Sequence, residues 1–231
     1  IKKKENTNWG KNIKTFPKVY FPKSYKEIKK IINSNKNFLV QGNLRSYGDN
    51  ALSKNLVIST QKLNKIIKFD EKKGIIEAES GVLLNDLLKI ITSKGWFIPV
   101  SPGTKYVSLG GMIANNIHGK NTYKNQIKYY VKKLKLISSN KEIICSKSKN
   151  KKLFNLTIGG FGLTGAILSI TLKLKKIHSE NMEQKIIEFK NFKEFYEISK
   201  INKKFEYSVC WIHNLEKDSI QGLFYLGNHS K

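Results

Sequence analysis

Residues 99–121 read Pro-Val-Ser-Pro-Gly-Thr-Lys-Tyr-Val-Ser-Leu-Gly-Gly-Met-Ile-Ala-Asn-Asn-Ile-His-Gly-Lys-Asn, and they constrain the fold more than any other stretch. Four glycines, two prolines and a histidine are gathered there, with lysine the only charged residue type. Ser108 stands where it caps a short helix whose first turn contains Gly110 and Gly111. The expectation is a helix start with bare main-chain N–H groups facing outward, at which two glycines let a diphosphate or a planar ring approach the backbone. A glycine-rich turn between two strands accounts for the segment equally well at this level.

The flanking chain alternates helix and strand. After a basic N-terminal tail, Ser24-Tyr25-Lys26-Glu27 forms a capping box ahead of Ile28, Ile31 and Ile32 at helical spacing. Phe38-Leu39-Val40 is a short buried strand that runs into the glycine-bearing loop Gly42–Asn50, the place where α/β proteins put ligands. Leu56–Ser59 is a strand, and residues 66–69 and 74–78 pair across the turn between them. Leu83, Leu84, Leu87, Leu88 and Ile91 mark an amphipathic helix closed by Gly95. Residues 129–137 and 143–145 read as a second hairpin, and Lys151–Phe154 as a short helix. Gly160-Phe161-Gly162-Leu163-Thr164-Gly165 fits the dinucleotide fingerprint G-x-G-x-x-G, which requires a helix behind it. Leu168, Ile170, Leu172 and Leu174 instead alternate with polar residues at the period of a strand, so the Rossmann reading fails and these glycines are expected to turn against the same ligand. Lys175–Asn181 is a polar boundary, and a β-α-β-β order follows over residues 186–225.

Composition narrows the function. The formal charge is +26, yet Arg45 is the single arginine and the other basic residues are lysines spread through every segment. A nucleic-acid surface uses arginine forks and basic residues interleaved with aromatic ones, so no nucleic-acid partner is expected, and a basic nucleic-acid-binding module is the weaker alternative of another class. No run approaches a membrane span, and nothing at the start resembles a signal peptide. Cys145 and Cys210 have no paired spacing, so neither a disulfide nor a metal site is expected. The chain starts at Ile1 and stops at Lys231 inside an unfinished pattern, which reads as an N-terminal piece of something longer.

The words Arg-Ser-Tyr-Gly-Asp at 45–49, Ser-Pro-Gly-Thr at 101–104, Gly-Gly-Met-Ile-Ala at 110–114, Ile-His-Gly-Lys-Asn at 117–121 and Gly-Gly-Phe-Gly-Leu-Thr-Gly at 159–165 together resemble the PCMH-type FAD-binding domain of the vanillyl-alcohol-oxidase superfamily, within it the decaprenylphosphoryl-β-D-ribose 2′-oxidase branch. The resemblance covers roughly residues 9–175. It implies an α+β fold: an FAD-binding domain of two α/β subdomains at 1–178, then the incomplete start of an α+β substrate domain at 179–231. The implied activity is oxidation of a secondary alcohol of a sugar by hydride transfer to flavin N5, a sugar-1,4-lactone or alditol oxidase being the alternative. A sugar or prenyl-phosphate sugar is the implied substrate, an NAD-dependent reductase an implied partner, and the cytoplasm, peripheral to the inner membrane, the implied location.

Residue by residue, the resemblance places Gly42, Asn43, Leu44, Arg45, Ser46, Tyr47, Gly48, Asp49 and Asn50 around the FAD diphosphate. It gives main-chain contacts to Gly103, Ser108, Leu109, Gly110 and Gly111, lines the flavin with Asn115, Asn116, Ile117 and His118, and bounds the adenine side with Ile167. His118, Lys120 and Tyr47 are the catalytic candidates within this chain, the family's key active-site lysine lying beyond Lys231. Related sugar oxidases link flavin to a histidine at the position Arg45 holds here, so the resemblance implies FAD bound without a covalent link. Independently of any family, Arg45 is the sharpest clue, a planar fork suited to bidentate phosphate contacts in a chain that otherwise uses lysine.

Overall fold

The computed structural model describes residues 2–121, 124–214 and 220–231. Among the described residues, three sheets of three or more strands and two two-stranded pairs carry the fold. In the first, β1 (Lys18–Tyr20), β2 (Phe38–Gln41) and β3 (Leu56–Ser59) run parallel with β3 in the middle, and Lys2–Lys3 adds an antiparallel edge. Parallel neighbours need a crossover, which α1 (Tyr25–Asn33) supplies between β1 and β2. Ser24 caps its start as the capping box predicts, its Oγ accepting from Glu27 N–H, while the reciprocal Glu27 carboxylate accepts from Lys23 N–H, one residue ahead of the N-cap.

The second sheet is antiparallel and central. It consists of β4 (Ile66–Asp70), β5 (Ile75–Glu79), β6 (Val131–Ser138), β7 (Lys141–Ser146) and β8 (Ala166–Lys173), in the order β7-β6-β8-β5-β4. The hairpin over 129–137 begins later than its sequence suggests, because residues 127–129 form a turn of 3₁₀ helix ahead of β6. Three helices cover the sheet: α2 (Leu84–Ile91), α3 (Leu109–Ala114) and α4 (Lys151–Thr157). The main core lies between them, where Leu87, Ile91, Met112, Ile113 and Phe154 meet Ile76, Leu134, Ile170 and Leu172. Gly95 ends the turn after α2 at a φ of +74°, as expected of a left-handed cap. A second, smaller core joins the first two sheets through Ile28, Ile58, Leu63, Ile137 and Leu168.

The strand predicted behind the glycines of 160–165 is β8, paired to both β6 and β5. Beyond it the chain stays attached, since Lys175–Lys176 pairs with Trp96–Phe97 and Ile177 is buried. The third sheet then opens as β9 (Met182–Phe189), α5 (Phe192–Ile201), β10 (Tyr207–Asn214) and β11 (Gln221–His229), ordered β9-β11-β10, with Phe189, Phe224 and Leu226 packed beneath α5. The architecture is α+β.

One expectation is corrected at the N-terminus. The basic tail is no loose extension: Asn6–Thr7 and Lys14–Thr15 form an antiparallel hairpin whose Asn6 and Asn8 are buried. Two-residue strands are too short for alternation to register, and asparagine in a lysine-rich run gives no apolar signal.

Candidate functional site

The three glycine-bearing segments converge. A cavity of about 380 Å³ lies outside the carboxyl end of β2, lined by Gly42–Gly48, by Ser108, Gly110, Gly111 and Asn115, and by Phe161, Gly162, Gly165 and Ile167. Side-chain amides lash the walls together. Asn43 Nδ2 donates to Tyr106 O at 2.7 Å, and Asn50 Nδ2 donates to Asn115 Oδ1 at 3.1 Å. The main chain does the same on the far side, where Phe161 N donates to Ala114 O at 2.9 Å.

Glycine here answers first to packing. A Cβ on Gly42 would stand 2.2 Å from Ser108 Oγ, and one on Gly110 would meet Ser80 Cβ at 2.9 Å. The loop after β2 and the start of α3 therefore touch backbone to side chain, which only glycine permits.

The outward-facing amides expected at α3 are not there. Leu109 N donates to Val82 O, Gly110 N to Ser80 O at 2.7 Å, Gly111 N to Ser108 Oγ and Met112 N to Ser108 O, so the whole first turn is satisfied by protein. With only six residues, α3 is also too short to serve as an anion site by its dipole. Free donors sit instead on the first loop. Among the described residues, no backbone N–H from Asn43 to Asn50 has a protein acceptor. Leu44 takes a left-handed φ of +54° within this run, the kind of turn that gathers successive N–H groups into an anion-binding nest.

Ser80 was missed by sequence reasoning. It follows β5, is 1% exposed, lines the cavity, and its hydroxyl has no partner among the described residues. A buried hydroxyl without a partner costs about 1–3 kcal/mol. No pattern marks one serine as such, since the signal is three-dimensional.

Of the cofactor-binding candidates, Gly42, Asn43, Leu44, Arg45, Ser46, Tyr47, Gly48, Asn50, Ser108, Gly110, Gly111, Asn115, Ile117 and Ile167 line the cavity. Arg45 does so with its guanidinium lying 5.1 Å from the ring of Trp9, a cation–π contact that the phosphate-fork expectation did not include. Tyr47, 81% exposed, stands at the rim. Asp49, Gly103, Leu109, Asn116, His118 and Lys120 do not line it. The reasons are local: Leu109 is turned into the main core, Gly103 lies on an exposed bend, and Asn116 is engaged with Gln126 and Lys128 N–H.

His118 and Lys120 sit on the segment that leaves the cavity for the third sheet. His118 bridges to Gln126, Asn121 bridges to Tyr207, and Lys120 O accepts from Ser208 N at 2.9 Å. Buried Asn121 holds the segment by donating to Pro99 O at 2.9 Å. At this junction Lys175 pairs with Glu206, and the Tyr207 hydroxyl lies 3.4 Å from His229 Nε2. Burial, then the Glu206 carboxylate, push the Tyr207 hydroxyl far above its ordinary range. Burial, then Lys175, push the His229 imidazole down.

The arrangement offers anion donors on one wall, an apolar floor at Met112, Ala114 and Ile167, and aromatic groups at the mouth, which suits an elongated ligand with a diphosphate and a planar ring. Comparison with known proteins agrees. The model of the FAD binding domain family matches residues 17–145. Decaprenylphosphoryl-beta-D-ribose oxidase of Mycolicibacterium smegmatis is 36% identical over 59% of this chain and 30% of its own length. L-gulonolactone oxidase of Bos taurus is 28% identical over 72% of this chain and 39% of its own length. D-lactate dehydrogenase of Anaerostipes hadrus is 33% identical over 52% of this chain and 26% of its own length. The chain thus spans 26–39% of the length of these three relatives.

Proposed function

This chain belongs to the FAD binding domain family, and on that premise we propose that it is the cofactor-holding part of an FAD-dependent oxidoreductase that oxidises a secondary alcohol of a sugar. The observation that carries the proposal is the run of backbone N–H groups from Asn43 to Gly48, without acceptors among the described residues, on the wall of a cavity that also buries the Ser80 hydroxyl, itself without a partner among those residues. The Ser80 hydroxyl is buried and polar groups so buried are rarely left unpaired, while the half-exposed and exposed loop amides form a nest that a diphosphate would meet at several points at once. The residues present fit FAD: the 43–50 loop and Arg45 would hold the diphosphate, Ile167 and Met112 would supply apolar contact, and Tyr47 at the rim would meet substrate. Bound FAD supplies the hydride acceptor. The chain's part is to fix its orientation and keep water out.

By the resemblance drawn from the sequence, Arg45 stands where related sugar oxidases carry a flavin-linking histidine. A guanidinium stays protonated and offers no nucleophilic nitrogen, so FAD is held here without a covalent bond. Acid precipitation of the holoprotein then releases all its flavin to the supernatant.

The prenyl-phosphoribose reading is supported by the name of the Mycolicibacterium relative; the reading would bring a lipid-linked substrate, contact with an anionic membrane surface and an NAD-dependent reductase that completes an epimerisation. Among the described residues no helix is long and apolar enough to cross a membrane. A second reading is oxidation of a sugar-1,4-lactone or an alditol; its lactone form is supported by the bovine relative, whose alignment covers more of the chain. The test is purification of the full-length protein with its flavin spectrum, followed by turnover on prenyl-phosphoribose against aldonolactones. A protein that is colourless and ignores added FAD defeats the proposal, and turnover of lactones alone selects the second reading.

A further inference from the structure

The proposed function leaves the N-terminal hairpin without a role, yet its Asn6 and Asn8 are buried and both reach the segment 41–47. Trp9 N donates to Ser46 O at 2.9 Å, and Asn8 Nδ2 donates to Tyr47 O at 2.6 Å. Asn8 is itself fixed, since its Oδ1 accepts from Ile13 N and its Nδ2 also reaches Asn12 Oδ1. Two residues earlier, Asn6 Nδ2 donates to Gln41 Oε1, and Gln41 Nε2 spans the base of the loop to Ala51 O at 2.7 Å. The hairpin thus grips successive carbonyls of the loop from the side away from the cavity.

A peptide unit is planar and trans, so its C=O and N–H point in opposite directions. Holding Ser46 O and Tyr47 O toward the hairpin turns the N–H groups of Tyr47 and Gly48 the other way, to the side on which both residues line the cavity. The same hairpin presents the half-exposed Trp9 ring beneath the Arg45 guanidinium, holding that fork at the rim. We propose that the hairpin of residues 6–15 is the positioning element of the diphosphate site, in which Asn8 aims the Gly48 amide, the Trp9 backbone N–H aims the Tyr47 amide, and the Trp9 ring holds the Arg45 guanidinium ready for a phosphate oxygen. This inference rests on the FAD reading above. Neither Asn8 nor Trp9 touches the ligand; both act through the loop.

The experiment titrates full-length wild type, Asn8→Ala, Trp9→Leu and Trp9→Phe with FAD and with riboflavin, which has the ring but no phosphate, and records the Tm of each apoprotein. The expected result for Asn8→Ala and Trp9→Leu is a loss of FAD affinity of about tenfold or more, the worth of a charge-assisted hydrogen bond or two. Riboflavin affinity stays within about twofold, and Trp9→Phe, which keeps an aromatic face, recovers most of the FAD affinity. If FAD and riboflavin affinities fall together, if Trp9→Phe is as impaired as Trp9→Leu, or if neither variant changes FAD binding, the positioning role is overturned while the FAD reading stands. Should Asn8→Ala fail to fold, the two variants at half-exposed Trp9 decide the matter. A wild type that binds neither flavin overturns the functional reading itself and this inference with it.

Discussion

Replacing Ser80 by alanine changes one atom and moves two observables in opposite directions. The residue is 1% exposed and its Oγ has no partner among the described residues, while its backbone is fully used: Ser80 N donates to Leu168 O and Ser80 O accepts from Gly110 N. The hydroxyl therefore contributes nothing to the apoprotein's fold and carries the cost of a buried, unmet polar group, about 1–3 kcal/mol. Taking the low end, Ser80→Ala stabilises the apoprotein by about 1 kcal/mol, which for a chain of this size raises Tm by about 2–4 °C. If the hydroxyl is there for the ligand, the same change removes a hydrogen bond worth about 0.5–1.5 kcal/mol net and weakens FAD about 2- to 12-fold. Differential scanning calorimetry of the apoprotein and a flavin-fluorescence titration measure the two effects separately. An apoprotein that is less stable than wild type, with unchanged FAD affinity, refutes the reasoning and makes Ser80 a structural hydroxyl.

Three further outcomes follow from the packing and the titrating groups. Gly42→Ala places a methyl 2.2 Å from Ser108 Oγ, so it destabilises by about 1–3 kcal/mol, and adding Ser108→Ala recovers part of that loss in a double-mutant cycle read by urea unfolding. Cys145 is fully buried and its thiol is pushed up to about 11 by that burial; burial raises the Cys210 thiol as well, but Cys210 is partly exposed, so a disulfide reagent at pH 8 labels Cys210, slowly, and reaches Cys145 only after denaturation. His229 faces Lys175, Glu206, the Tyr207 hydroxyl, Ser179 O and the Phe97 ring, and its folded value lies below the ordinary 6.5. The neutral ring is thus the one the fold prefers: its contribution is present above that value and is lost as pH falls through it toward the folded one. Thermal unfolding across this range shows a fall in stability toward acid that His229→Gln flattens.

Local physics made much of the fold legible. The capping box at Ser24 and Glu27, the left-handed cap at Gly95 and the two-residue alternation of 168–174 each depend on neighbours in sequence, and each is found where the sequence puts it. The alternation also removed the Rossmann reading, because a strand and not a helix follows Gly165. What stayed hidden depends on partners far along the chain. Asn6 and Asn8 look like part of a solvated tail, and their burial exists only because Gln41 and Tyr47, 35 and 39 residues away, offer an acceptor each.

The site shows the same division more sharply. Glycine in a loop invites the inference that a ligand comes close to bare backbone, and for α3 that inference fails, since each first-turn amide is consumed by Val82, Ser80 or Ser108 and the glycines are needed to fit those same residues. The amides without acceptors lie in 43–50, where only Gly48 lacks a side chain and a Cβ on it would meet nothing within 4 Å. In that loop Gly48 is therefore a glycine that packing does not explain, whereas packing does explain Gly42 and Gly110. Where a glycine's missing Cβ has no neighbour, an alanine tests the ligand and spares the fold: Gly48→Ala leaves the apoprotein's Tm in place and weakens FAD, while Gly42→Ala lowers both. Equal losses of stability at the two positions would show that the loop is shaped by packing alone.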